Sequence, residues 1–377
     1  MTEKPMRKMM AGILGLWLAA SPAFGASSPA EIQEEVFPKF DKGIEQMATR
    51  QNVDERSLME KLTFRDPKFQ RIIQDCFEIM ADSSLVDLLS LQDEVNAEIR
   101  KKQEKMGKLA RESITAPSSS WNPLATTQES ISRDIAGLRQ DIADLEASIN
   151  TEKTRVYNDM VQNGVPIERE QFEFMINAAD AMETAKIMAV AENLKYMLQN
   201  MEEKVSDPNA PVDLLKIYSG MYMMCHRVYM YAISFAVEQI DNIYKPRRLA
   251  MKEKNDKLIA DSRSLSRQVH TPADRATLES NMASQKRMSE VINLYTRYLD
   301  SQKKNLVSLN NDMTKRYRVA ENTYQTIRLS SELLSLLRNS QTDFSRIFAF
   351  RPPELQLLHD ARFSREFAEV TANLRME

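Results

Sequence analysis

The residues best suited to chemistry lie in one stretch, 212–244, which reads VDLLKIYSGMYMMCHRVYMYAISFAVEQIDNIY. Met223, His226 and Met230 stand at i, i+3 and i+7, on one face of a helix, and Met221 and Cys225 lie on the adjacent face. Thioether, thiol and imidazole ligands together suit a soft ion such as Cu(I). Three features weigh against a metal box. Methionine also fills irregular helical cores, Arg227 would set a positive charge beside the ion, and neither a repeated Met-x-x-Met tract nor a second nearby histidine accompanies His226. Core packing is the expectation, with Met223, His226 and Met230 kept as candidate metal ligands. No cofactor is expected.

Cys76 and Cys225 are the two cysteines of the chain. In an oxidising compartment an even pair is a disulfide candidate, and the bridge would tie the helix after Pro67 to the 212–244 helix. The alternative is two buried thiols packing as small apolar groups. His270 and His359 read as surface residues far from His226 in sequence. The chain holds no His-Glu-x-x-His, Gly-x-Ser-x-Gly, Walker or Cys-x-x-Cys pattern. Acid pairs such as Glu34-Glu35 and Glu202-Glu203 fit solvated helix faces. The expectation is a protein that is not an enzyme. Trp121, in the loop TAPSSSWNPLATT (115–127), is a candidate partner contact, although an aromatic folded back over a helix end explains it as well.

The elements that must carry these residues are helices. Five of the eight glycines lie beyond residue 25, too few for a sheet with tight turns or for a phosphate-cradling loop. The predicted fold class is all-α, an elongated helical bundle with long antiparallel coiled-coil-like hairpins. The 212–244 helix is apolar on most faces, which requires neighbours on several sides. Ile131, Ile135, Leu138, Ile142, Leu145 and Ile149 alternate in steps of four and three, a coiled-coil seam. Asn163-Gly164-Val165-Pro166 then stops the helix, so 126–163 is expected to pack against 167–204. A second hairpin is expected between 211–268 and 273–340, with Pro246 as a kink. A single long helix is predicted from Pro67 to about Ile114.

The resulting division is a leader at 1–25, N-terminal helices and the first long helix at 26–114, a loop at 115–127, a hairpin at 128–205, a second hairpin at 206–350 that includes 212–244, and a C-terminal helix at 351–377. The leader is read from Lys4, Arg7 and Lys8, the apolar run Met9–Ala20, and Ala23 and Gly25 at the −3 and −1 positions of a cleavage site. Its removal would take away those three bases and Glu3, shifting the formal net charge from −3 to about −5, which does not favour nucleic acid. No later apolar run is long enough to span a bilayer. Membrane contact is expected to be peripheral at most, through the basic runs at 100–108 and 245–254.

Together these features predict an exported, periplasmic or extracellular, non-enzymatic structural or adaptor protein. Its expected setting is a multi-protein cell-envelope assembly such as secretion or conjugation machinery. It would meet protein partners there, and its coiled-coil faces would support self-association. Two other classes fit the same residues: a periplasmic small-ligand or copper-binding protein using the Met- and Tyr-rich helix, and a surface adhesin or minor pilus component.

Overall fold

A computed structural model describes residues 27–50, 67–118, 126–162, 167–178, 180–205, 212–269 and 271–336. The expected leader, Trp121 and the expected 351–377 helix lie outside the described residues. Among those described there is no strand, and the fold is all-α. The helices are α1 (Pro29–Arg50), α2 (Pro67–Met80), α3 (Ser84–Thr115), α4 (Gln128–Gln162), α5 (Arg169–Asn177), α6 (Ala181–Val205), α7 (Val212–Gln239), α8 (Lys245–Ser266) and α9 (Pro272–Leu336). A π turn, Ile240–Tyr244, joins α7 to α8 without a break. The chain divides into two compact units, one formed by Ser83–Ile167 and the other by Pro29–Asp82 with the chain from Glu168 onward.

The larger unit is built around α7, which packs on α1, α2, α6 and α9. Met221, Met223, Met224, Cys225, Val228, Tyr229, Ala232, Ile233 and Ala236 are all buried, on every side of the helix. An all-round apolar sequence thus receives the all-round neighbours it needs. Ile32, Val36, Phe40 and Met47 form the buried face of α1, as their spacing predicts. The approach of α1 to α7 is close. A Cβ on Gly43 would meet Met224 Cε at 2.5 Å, and one on Gly220 would meet Ile44 Cδ1 at 2.8 Å. Phe77 of α2 packs edge-on to Tyr231 with ring centroids 5.3 Å apart. From α9, Leu299, Leu306, Met313, Ala320 and Ile327 bury a line that repeats every seventh residue.

The α7–π turn–α8 segment runs antiparallel to α9 in one register. Asn310 reaches Ser234 (3.4 Å), Lys303 reaches Asp241, Lys245 pairs with Asp300 (2.8 Å), and Asn255 reaches Ser289 (2.8 Å). The expected 211–268 and 273–340 pairing is therefore present over its described length. The π turn is the local answer to Pro246. A proline ring clashes with the carbonyl four residues back and offers no N–H. The turn widens instead, and Lys245 N–H bonds to the carbonyl of Ile240.

The smaller unit is the hairpin of α3 and α4. Its register is antiparallel: Gln128 Nε2 donates to Ser113 O (3.3 Å), Lys102 pairs with Asp141 (2.8 Å), and Arg155 lies within electrostatic reach of Asp87. The seam holds Leu85, Leu88 and Val95 from one side and Ile131, Leu138, Ile149 and Val156 from the other.

Two expectations are corrected. The apolar line of 126–163 is covered by α3, the helix before it, and not by 167–204. Those residues instead form the short α5 and then α6, which belong to the core around α7. The helix predicted from Pro67 to Ile114 is two helices. It breaks after Met80, whose carbonyl accepts a buried hydrogen bond from Asn193 Nδ2 at 2.9 Å. It restarts at Ser83, whose extended backbone and side-chain bond from Val86 N–H (3.3 Å) make an N-cap. The cap coincides with the boundary between the two units.

Candidate functional site

The sequence candidates occupy the middle of the core. Met223, Cys225, His226 and Met230 are buried. His226 Nδ1 lies 3.0 Å from the carbonyl of Tyr222, one turn back, so Nδ1 carries the proton and donates. The Tyr222 ring stands edge-on to the imidazole, 4.4 Å between centroids. Burial lowers the pKa of His226, the Tyr222 bond opposes that shift, and the charge of Arg316 reinforces it. The ring is thus held neutral, packed against an aromatic, with one nitrogen committed to the backbone. Among the described residues, no group of three or more His, Cys, Asp or Glu side chains is gathered so as to hold a metal ion.

The candidate Cys76–Cys225 bridge is not formed; both are free, buried thiols, the alternative the sequence also allowed. Burial pushes Cys76 up to about 12, and burial followed by the nearness of Cys76 pushes Cys225 higher still. Thiols so disfavoured as thiolates are poor nucleophiles and poor metal ligands. They fill space between α2 and α7.

A second polar constellation was not foreseen. It lies where the N-terminus of α6 meets the π turn and α9. Asp180 directly precedes α6, and its backbone carbonyl accepts from Thr184 N–H at 3.0 Å. Only 2% of Asp180 is exposed, and Glu183, one turn on, is also buried. Each carboxylate receives a tyrosine. Tyr244 of the π turn donates to Glu183 Oε2 at 2.6 Å, and Tyr298 of α9 donates to Asp180. Gln302 in turn donates to the Tyr298 hydroxyl. The second oxygen of Asp180, Oδ1, is buried without a hydrogen-bond partner.

Desolvation raises Asp180 to about 6, opposed by the Tyr298 and backbone bonds and reinforced by the charge of Glu183. Tyr244 and Tyr298 are pushed upward, chiefly by burial, and so remain protonated donors. Outside this pocket of acid–tyrosine pairs, Asp241 of the same π turn bridges Lys303 and Lys245, and the Lys303 bond holds its carboxyl below the usual carboxylate range. The π turn is therefore fastened to α6 by the Tyr244–Glu183 bond and to α9 by the Asp241–Lys303 ion pair. This arrangement can take up one proton near neutral pH while folded, and it fixes where the buried helix gives way to α8. One sequence signal was available: Asp180-Ala-Met-Glu183 matches the acid-x-x-Glu pattern of a helix start. The tyrosine partners, 61 and 118 residues along the chain by number, carried none.

Among known proteins, no family model, no curated relative and no solved structure matches this chain.

Proposed function

We propose that this chain is an exported, non-enzymatic helical scaffold that joins proteins within a cell-envelope assembly of the secretion or conjugation type. The observation that carries the reading is the contrast between a closed core and two hairpins that present mostly exposed sides. The core around α7 spends its Met, Tyr, His and Cys side chains on packing. Most residues of the α3–α4 hairpin and of the 245–290 part of the α8–α9 hairpin are exposed. Surface of this kind suits protein contact, and interface energy needs only a few well-placed apolar or aromatic anchors on it. Export is supported by the basic, apolar and small-residue pattern of residues 1–25.

Affinity capture of the tagged full-length chain from envelope extracts tests this reading. The expected result is a fixed set of co-purifying proteins at stoichiometric ratio, and a mature N-terminus at Ala26 by intact mass. Recovery of the chain alone, with a melting temperature that rises on addition of Cu(I) or a small ligand, would instead support the ligand-binding class.

A further inference from the structure

The α8–α9 hairpin distributes its residues against the usual order. Apart from Leu278, the buried residues of its internal seam are polar. Asn255 Nδ2 donates to Gln285 O (2.9 Å) and Ser289 Oγ (2.8 Å), Gln285 Nε2 donates to Ser262 Oγ (2.8 Å), and Arg248 donates to Thr296. Asn255, Ser262 and Gln285 are buried. The adjacent flank of α8 is apolar and open. Met251, Leu258 and Leu265 step by seven and are 63%, 48% and 49% exposed. Leu249 on α8 and Met288 on α9 are exposed as well. A heptad line repeats on one side of a helix so that another helix can lie along it, and here α9 does not.

We infer that this flank pairs with a second copy of the same chain, α8 lying antiparallel on α8 with the two Leu258 residues at the two-fold axis. Charge pattern selects this occupant and this direction. Lys254 and Asp261 sit together beside the apolar line, on the side away from α9, four residues before and three after Leu258. A two-fold axis through Leu258 sets Lys254 of one copy within about 1.5 Å, along the helix axis, of Asp261 of the other. The contact forms twice by symmetry. Met251 then meets Leu265 of the other copy. A parallel pairing would set Lys254 against Lys254 and Asp261 against Asp261, which is repulsive. Among the described residues neither Lys254 nor Asp261 has an ion-pair partner within its own chain. The inference is independent of where the protein resides and of which proteins its other faces meet.

Sedimentation velocity of the purified full-length chain over two decades of concentration reads the association. A reversible monomer–dimer equilibrium is expected. Leu258→Asp, an exposed site whose change leaves the circular dichroism and melting of the monomer in place, should weaken it by on the order of a hundredfold. Lys254→Glu should weaken it about tenfold, and Lys254→Glu with Asp261→Lys should restore it. Direction is read by oxidative cross-linking, since Cys76 and Cys225 are buried. Leu258→Cys should cross-link with itself, and Met251→Cys only with Leu265→Cys. A chain that stays monomeric throughout, a Leu258→Asp variant that dimerises as before, or self-cross-linking by Met251→Cys would each overturn the proposal.

Discussion

The two solvated hairpins are alike in kind and opposite in how they use their side chains. Between α3 and α4 the seam is apolar, with Leu85, Leu88 and Val95 buried along one helix and Ile131, Leu138, Ile149 and Val156 along the other, and charge lies outside it. Between α8 and α9 the seam is a chain of amide and hydroxyl bonds, and the aliphatic line is left on a flank. The first hairpin draws its stability from its own interface. The second is held in register by bonds from Asn255 Nδ2 and Gln285 Nε2, and a shift by one turn would break them and leave these buried amide groups without acceptors. A two-helix hairpin that is finished internally and one that is finished by something outside it are thus distinguishable by where the apolar residues go.

The largest effect is expected where the apolar seam is broken. Val156→Asp places an unpaired carboxylate in a fully closed site and should lower the stability of the α3–α4 hairpin by on the order of 3–5 kcal/mol. Hydrogen exchange should show 84–162 opening while the α7 core keeps its protection. Equal loss of protection in both units would show that the two do not unfold separately.

The next effect lies at the junction where α7 becomes α8. Asp180 has a folded-state pKa of about 6 against an ordinary 3.8, so the folded state binds its proton more tightly than the unfolded state does. Its contribution is greatest below pH 4 and is lost as pH rises through 6, by up to about 3 kcal/mol. His226 works in the opposite sense. Its lowered pKa gives stability that is present above about 6.5 and lost as pH falls through its folded value. The difference between wild type and Asp180→Asn in urea midpoints from pH 4 to 8 isolates the first effect; a flat difference would remove it.

Converting the polar seam into an apolar one gives a smaller change of opposite sign. Asn255→Leu combined with Gln285→Leu removes the buried amides together and should leave stability unchanged or raise it by about 1–2 kcal/mol. The variant should lose a single register, seen as doubled resonances for α8. The smallest effect belongs to the ion pair that links α3 to α4. Lys102→Ala should cost no more than about 1 kcal/mol, and less at high salt, because Asp141 is half exposed.

The helices were readable because their apolar spacings are local. The seven-residue line of α9, the face of α1 and the buried surface of α7 all follow from periods within a few turns. The partner of the 131–156 seam was not readable, because a heptad states that a neighbour exists and not which one. The charged run IRKKQEKMGKLAR at 99–111 also leaves the far half of α3 with few apolar residues to mark it as that neighbour. The break at residues 81–83 is signalled by Ser83 but settled by Asn193, 113 residues along from Met80. The acid–tyrosine junction was hidden for the same reason. Glu183 and Asp180 resemble any acids at a helix start until Tyr244 and Tyr298 are brought to them by the α7–α9 pairing.

The π turn has a rotational consequence. Widening one turn absorbs one residue, which amounts to about 100° of helical phase for everything that follows. If the same sequence ran on as an unbroken α-helix, the line through Arg247, Lys254 and Asp261 would swing onto α9. The line through Asn255 and Ser262 would leave its donors and acceptors. Five residues beside a proline therefore act as a phase shifter, setting which side of α8 is spent inside the molecule and which is left facing out.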